Sequence, residues 1–239
     1  MVAAAEVAES DVVLEIGPGL GMLTRELVGV AGKVIAVEVD RDLAPVLHRA
    51  LGEPANLEVI QADALDLDLG PVVAEPYLVV ASLPYHIATP LLFKLAFSRP
   101  RPRRIVAMVQ EEVARRLAPG NGPTTYLSVA MSSVADARIV RRVGPGCFFP
   151  MPRVQSAVIR FDVRNEPAIE AEAVAAFLAF LRAGFTQPRK QLHNSLAQGL
   201  NLTPADVQRR LRTGQVDSSL RPGQLSTSDW LRLFRTWEA

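Results

Sequence analysis

The chain has 239 residues, 49% apolar and 21% charged, enough to bury a substantial core and ordinary for a soluble globular protein. A lone cysteine, Cys147, excludes an internal disulfide framework and a thiolate metal cluster. No apolar run approaches the roughly 18–20 residues that span a bilayer. The start, MVAAAEVAES, carries Glu6 and Glu9 and no basic stretch, unlike a secretory leader, so a cytoplasmic location is expected.

The net charge of +1 conceals a division: residues 1–98 balance at −9 and residues 99–239 at +10. Arginines cluster at Arg99, Arg101, Arg103 and Arg104 and again at Arg138, Arg141 and Arg142. A cationic half of this kind suits contact with nucleic acid.

In chain order, VVLEI (12–16) reads as a buried strand and LGMLTRELV (20–28) as a helix. KVIAVEV (33–39) is a second strand, RDLAPVLHRAL (41–51) a helix, LEVI (57–60) a third strand and YLVVAS (77–82) a fourth. Continuous apolar strands separated by amphipathic helices predict a parallel sheet covered on both faces. TPLLFKLAF (89–97) follows as a helix. In SRPRPRR the arginines either contact phosphates or solvate a turn, and Pro100 and Pro102 favour a linker.

RIVAMVQ (104–110) reads as a strand, and EEVARRLA (111–118) as a helix stopped by Pro119-Gly120. PGNGPTT (119–125) is expected to be a mobile loop, and TYLSVAMSSV follows without an assignment. ARIVRRV (137–143) and QSAVIRFDV (155–163) alternate as antiparallel strands do. Beyond Pro167 the pattern is helical only, with Thr203-Pro204 and Ser226 as helix starts.

VLEIGPGLG places Gly17, Gly19 and Gly21 between the first strand and its helix, where a tight turn lets a ligand approach the backbone. Glu38, ending the second strand, can accept hydrogen bonds from both hydroxyls of a ribose. A glycine loop alone also suits a dinucleotide. The G-x-G-x-G spacing, Glu15 beside a cationic sulfonium, and Asp63 placed to accept from an adenine amino group favour S-adenosylmethionine. Asp63 could instead cap its own turn.

The fourth strand ends in Ser82-Leu83-Pro84-Tyr85. The N6 lone pair of adenine is delocalised into the ring, and acceptors holding both amino hydrogens free it for attack on a methyl group. An oxygen-bearing side chain followed by backbone carbonyls before a proline supplies such acceptors. The adjacent aromatic can stack on an extruded base, or simply fill the core. Here the first position is a serine, with a shorter acceptor and a rotatable proton.

The segments VLEIGPGLGMLT, VIAVEVDRDLA, QADAL, SLPYHIATPLLFKL, VQEEVARRL, YLSVAM, GCFFPMPRVQSAVIRF and GFTQPRKQLHNSL run in order over nearly the whole chain. Together they resemble the small-subunit ribosomal RNA adenine-N6,N6-dimethyltransferases of the KsgA kind, relatives of the erythromycin-resistance methylases. The helical tail and CFFPMPRVQS favour the ribosome-biogenesis branch.

The resemblance implies an α/β fold: a Rossmann-like S-adenosylmethionine-dependent methyltransferase domain over residues 1–166 and a small all-helical C-terminal domain over 167–239. It implies dimethylation of two adjacent adenines near the 3′ end of 16S ribosomal RNA, on the 30S particle, by a monomer with no membrane partner. Gly17, Gly19 and Gly21 would form the cofactor loop, Glu38 would bind ribose, and Asp63 with Ala64 would hold the adenine moiety. Ser82, Leu83, Pro84 and Tyr85 occupy the catalytic motif, with Ser82 also facing the cofactor. Phe148 matches the second aromatic around the target base, or plugs an apolar gap before the prolines. Arg189 and Lys190 fall in the helical domain and read as a solvated face.

Three departures stand out. The family begins with a Q-N-F-L-like segment some two dozen residues before the first strand, with no counterpart in this sequence. Its catalytic asparagine is Ser82 here, and its acidic residue after the K/R-V pair is Gln155. These leave open a second reading, a ribosome-assembly or RNA-binding factor of little activity on the same scaffold. A nicotinamide-dependent enzyme is a third, disfavoured by SLPY. His48, His86 and His193 lack ligand spacing, so no metal is expected, and Cys147 reads as packing.

Overall fold

Residues 1–114 and 136–165 form one compact unit, and residues 115–135 and 166–239 another. The computed structural model describes residues 1–239 apart from Glu75, Pro119, Asn121, Gly122 and Ala239, and without the side chain of Glu238. Pro119, Asn121 and Gly122 of the mobile loop expected at 119–125 therefore lie outside the described residues.

In chain order the elements are α1 (Val2–Ala5), β1 (Val12–Ile16), α2 (Met22–Val28), β2 (Lys33–Glu38), α3 (Ala44–Ala50), β3 (Leu57–Gln61), β4 (Tyr77–Ser82) and α4 (Ala88–Phe97). Next come β5 (Arg104–Gln110), α5 (Glu111–Leu117), α6 (Tyr126–Ser132), β6 (Ala135–Val143) and β7 (Ser156–Val163). The helices α7 (Val174–Gly184), α8 (Leu192–Leu200), α9 (Pro204–Thr213) and α10 (Thr227–Glu238) complete the chain.

The seven strands form one sheet in the order β3-β2-β1-β4-β5-β7-β6. β1 pairs parallel with β2 (Leu14 opposite Ile35) and with β4 (Leu14 opposite Val79), and β4 pairs parallel with β5. β7 runs antiparallel to β5, with Val158 opposite Met108. The central strands are buried on both faces, as their uninterrupted Val/Ile/Leu/Ala runs require. Edge strand β6 instead alternates exposed with buried or half-buried positions over its first half. This is a Rossmann-like α/β unit, and its strand order reverses between β1 and β4, where such sheets open a crevice at the carboxyl ends.

Four residues are too few for a helix to stand alone, and α1 is tied down by two arginines of neighbouring strands. Arg160 donates to Ala4 O (2.9 Å) and Glu6 Oε1 (2.6 Å), and Arg104 donates to Ala5 O (2.7 Å) and Glu6 Oε2 (2.9 Å). Asp162 accepts from both guanidiniums.

The second unit is all helix, and it is not the 167–239 block that the sequence suggests, because residues 115–135 group with it. TYLSVAMSSV supplies α6, started by a reciprocal cap in which the Ser128 amide donates to Thr125 Oγ1 (3.1 Å) and the Thr125 amide to Ser128 Oγ (2.8 Å). Its buried Val129, Ala130 and Met131 face α7 and α10, and the Ala168 amide donates to Ser133 O at 2.9 Å. α7 and α8 meet at Gly199, where a Cβ would come within 2.5 Å of Ala183 Cα, so only glycine permits the approach. Thr203 caps α9, accepting from the Asp206 amide at 3.2 Å, and Ser226 does the same for Asp229 before α10.

Candidate functional site

Every cofactor-binding residue expected from the sequence, apart from Glu15 inside β1, lies where a parallel strand ends. Gly17, Gly19 and Gly21 follow β1 with φ of 69°, 55° and 80°, a left-handed backbone that L side chains rarely adopt. A Cβ at Gly21 would lie 2.6 Å from Leu47 Cδ1, so this glycine seats the loop on α3. At Gly19 a Cβ would meet nothing within 4 Å. That position opens a cradle in which a ligand can reach the backbone.

Contacts link the strand ends in series. The Ala62 amide, after β3, donates to Glu38 O at 3.0 Å, and the Gly17 amide donates to Val37 O at 2.9 Å. The buried Glu38 carboxylate accepts from the Gly19 amide through Oε2 (3.1 Å) and the Asp40 amide through Oε1 (3.0 Å). Both oxygens are thereby oriented, each with a lone pair to spare for a ribose hydroxyl. Pro84 Cδ lies 3.7 Å from where a Gly17 Cβ would stand, which brings SLPY against the glycine loop.

Asp63 does cap its turn, accepting from the Leu65 amide at 2.8 Å through Oδ1. It is exposed and its Oδ2 has no partner among the described residues, so the turn cap and the adenine contact are compatible. Ala64 beside it is buried.

Glu15 is 1% exposed, and its Oε2 has no hydrogen-bond partner among the described residues, a costly arrangement for a carboxylate. Burial pushes its carboxyl up to about 7, with a further push from the negative charge of Glu38. The hydroxyl of buried Thr24 opposes that shift without closing a well-formed bond. At neutral pH Glu15 is thus divided between its protonated and ionised forms, not the plain carboxylate that the sequence suggests. A buried acid with an unpaired oxygen among the described residues, an open glycine cradle and an oriented ribose acceptor fit the cationic S-adenosylmethionine.

In the SLPY motif, Ser82 is exposed and its hydroxyl makes no hydrogen bond among the described residues. Leu83 is buried and its amide donates to Met108 O at 3.1 Å, while Pro84 O accepts from the Ile87 amide. These bonds fix the turn that presents Ser82 and Tyr85. Tyr85 is half-buried, with its hydroxyl 2.6 Å from Ser156 Oγ at the start of β7. Phe148 is half-buried after a single 3₁₀ turn, and no ring contact joins it to Tyr85 among the described residues.

Sequence reading missed Thr24 and Ser156. Both are fully buried hydroxyl residues. The available signal was a lone polar residue on the apolar face of α2 and a serine opening a buried strand. Among the described residues no group of three or more His, Cys, Asp or Glu is placed to hold a metal ion, and no helix is long and apolar enough to cross a membrane.

A family model described as ribosomal RNA adenine dimethylase matches residues 1–238. The ribosomal RNA small subunit methyltransferase A of Bacillus pumilus is 38% identical over 240 residues, covering 96% of this chain and 82% of that protein. The protein of the same name from Alkaliphilus oremlandii is 34% identical over 234 residues, covering 95% and 82%. Among solved structures, the 23S rRNA methyltransferase ErmE superposes with a TM-score of 0.78 at 28% identity, over 100% of this chain and 95% of that one. A dimethyladenosine transferase from Plasmodium falciparum gives 0.75 at 26% identity, over 97% and 91%.

Proposed function

The chain belongs to the ribosomal RNA adenine dimethylase family, and from that premise we propose that it transfers methyl groups from S-adenosylmethionine to N6 of two adjacent adenines in small-subunit ribosomal RNA. It does so as a cytoplasmic monomer acting on the 30S particle. The observation that carries the reading is the run of contacts from Ala62 through Glu38, Gly19 and Gly17 to Pro84, which sets a nucleoside-binding edge against SLPY.

Bound S-adenosylmethionine supplies an electrophilic methyl group on a cationic sulfur. Glu38 would hold the ribose hydroxyls, Asp63 with Ala64 the adenine edge, and Gly19 would allow the close backbone approach. Ionised Glu15 would balance the positive charge. Ser82 Oγ and the Leu83 carbonyl accept the two N6 hydrogens of the target, which stabilises charge developing on that nitrogen without a strong base. Tyr85 and Phe148 stack on the extruded base, Tyr85 being steadied by Ser156. The sheet unit is the methyltransferase domain and the helical unit its companion in RNA contact.

The test is mass spectrometry of under-methylated small subunits incubated with the protein and cofactor. N6,N6-dimethyladenosine is expected. Cofactor binding with the adenines left unmodified sinks the reading in favour of an assembly factor.

A further inference from the structure

The arginine-rich segment between α4 and β5 is not the linker that its prolines suggest. The hydroxyl of Tyr77, a residue 1% exposed, donates to Pro100 O at 3.1 Å. The Arg103 amide donates to Tyr77 O at 2.8 Å, and the Val163 amide to Arg103 O at 3.1 Å. The segment is therefore bonded to β4 on one side and to the end of β7 on the other.

Arg99, Arg101 and Arg103 then line one cleft of about 240 Å³, with Arg164 and Asn165 forming its other wall. Arg164 comes there because β7 runs antiparallel to β5, which places its carboxyl end beside the start of β5. Arg103 donates through Nη2 to Asp11, and Arg164 is paired with Asp136. Arg99 is exposed and has no ion pair among the described residues.

We propose that this cleft is a second contact for the RNA, binding backbone phosphates at the amino ends of β4 and β5, opposite the strand ends that carry the cofactor pocket. Planar guanidiniums arranged around a cleft match the oxygens of a phosphodiester. The cleft opens before β4, whose six residues separate it from Ser82 by about 17 Å. A substrate touching both places must be far larger than a nucleoside, as a ribosomal RNA is. The inference rests on the RNA reading above and adds an anchor remote from the chemistry.

The test compares Arg99→Glu and the double variant Arg99→Gln/Arg164→Gln with the native protein and with an Arg49→Glu control on α3. Affinity for under-methylated small subunits is measured against salt concentration, with thermal melting and S-adenosylmethionine binding as folding checks. Each arginine removed should lower the slope of log affinity on log salt by about 1, with melting, cofactor affinity and the control unchanged. Slopes equal to the native one in both variants overturn the proposal. A short RNA duplex of unrelated sequence and inorganic phosphate at matched ionic strength complete the set. Variants that weaken phosphate binding alone overturn the RNA assignment. A native protein that ignores small subunits but binds duplex through the cleft sinks the function proposed above and leaves this inference standing.

Discussion

The hydroxyl of Tyr85 lies 2.6 Å from Ser156 Oγ, joining the turn after β4 to the first residue of β7, 71 positions away. An aromatic ring that stacks on a base needs a fixed plane, and this bond supplies one. Ser156→Ala is expected to lower methyl transfer by about tenfold, the range for losing one positioned hydrogen bond to a reacting group's support. S-adenosylmethionine affinity should be unchanged. Tyr85→Phe should cost about as much, and the pair together little more than either alone, because both remove the same bond. Additive losses in single-turnover assays would show that the two residues act separately.

Glu15 gives a pH signature. Its folded carboxyl titrates at about 7 against an ordinary 4.5. Between those values the native protein holds a proton that the unfolded chain has released, so stability falls as pH rises through that window. The loss reaches about 3 kcal/mol above pH 7. Glu15→Gln keeps the shape and removes the titration, so it should melt roughly 5–10 °C above native at pH 8 and near native at pH 4.5. Native affinity for the cationic cofactor should rise with pH through 7, and the variant should lose both the affinity and the slope. Calorimetric binding at pH 6 and 8 checks this, and equal native affinities would refute the role.

The glycine loop separates fold from binding. Gly21→Ala meets Leu47 at 2.6 Å with φ at 80°, so it should lower the melting temperature as well as cofactor affinity. Gly19→Ala meets nothing within 4 Å and should cost the fold only about 1–2 kcal/mol for its left-handed backbone. Its cofactor affinity should nonetheless fall by an order of magnitude or more, since the methyl occupies the open cradle. Melting curves and binding isotherms on both variants decide it.

Ser82 is the remaining lever. Ser82→Ala removes an oxygen that makes no hydrogen bond among the described residues, so stability should hold while turnover falls about 10²-fold. Ser82→Asn restores the longer amide acceptor and should raise turnover. A Ser82→Ala variant as fast as native would take the hydroxyl out of the chemistry.

Much of the sheet unit was legible because its signals are local. β2, β4 and β5 have unbroken apolar cores and β1 is broken only by Glu15, and the glycines, Glu38, Asp63 and SLPY sit at strand ends that those runs define. What escaped depends on distant partners. Nothing near SRPRPRR in sequence announces that Tyr77 will hold Pro100. Nothing near Glu6 announces Arg160, 154 positions on. The helix at 126–132 was obscured by its β-branched and serine residues, although Thr125 and Ser128 already had capping-box spacing. The nature of Glu15 was hidden too, because a sequence gives the acid but not its burial.

The placement of residues 115–135 bears on how this protein can be divided. The chain leaves the sheet unit inside α5, contributes α6 to the helical unit, returns for β6 and β7, and leaves again at 165. Each unit is therefore assembled from two separated stretches of polypeptide. A cut at 166 strips α6 of α7 and α10 and bares Val129, Ala130 and Met131 to water. Neither half is a portable cassette: an exchange of helical units between relatives must graft 115–135 together with 166–239, and a shorter graft inherits an aggregation-prone helix.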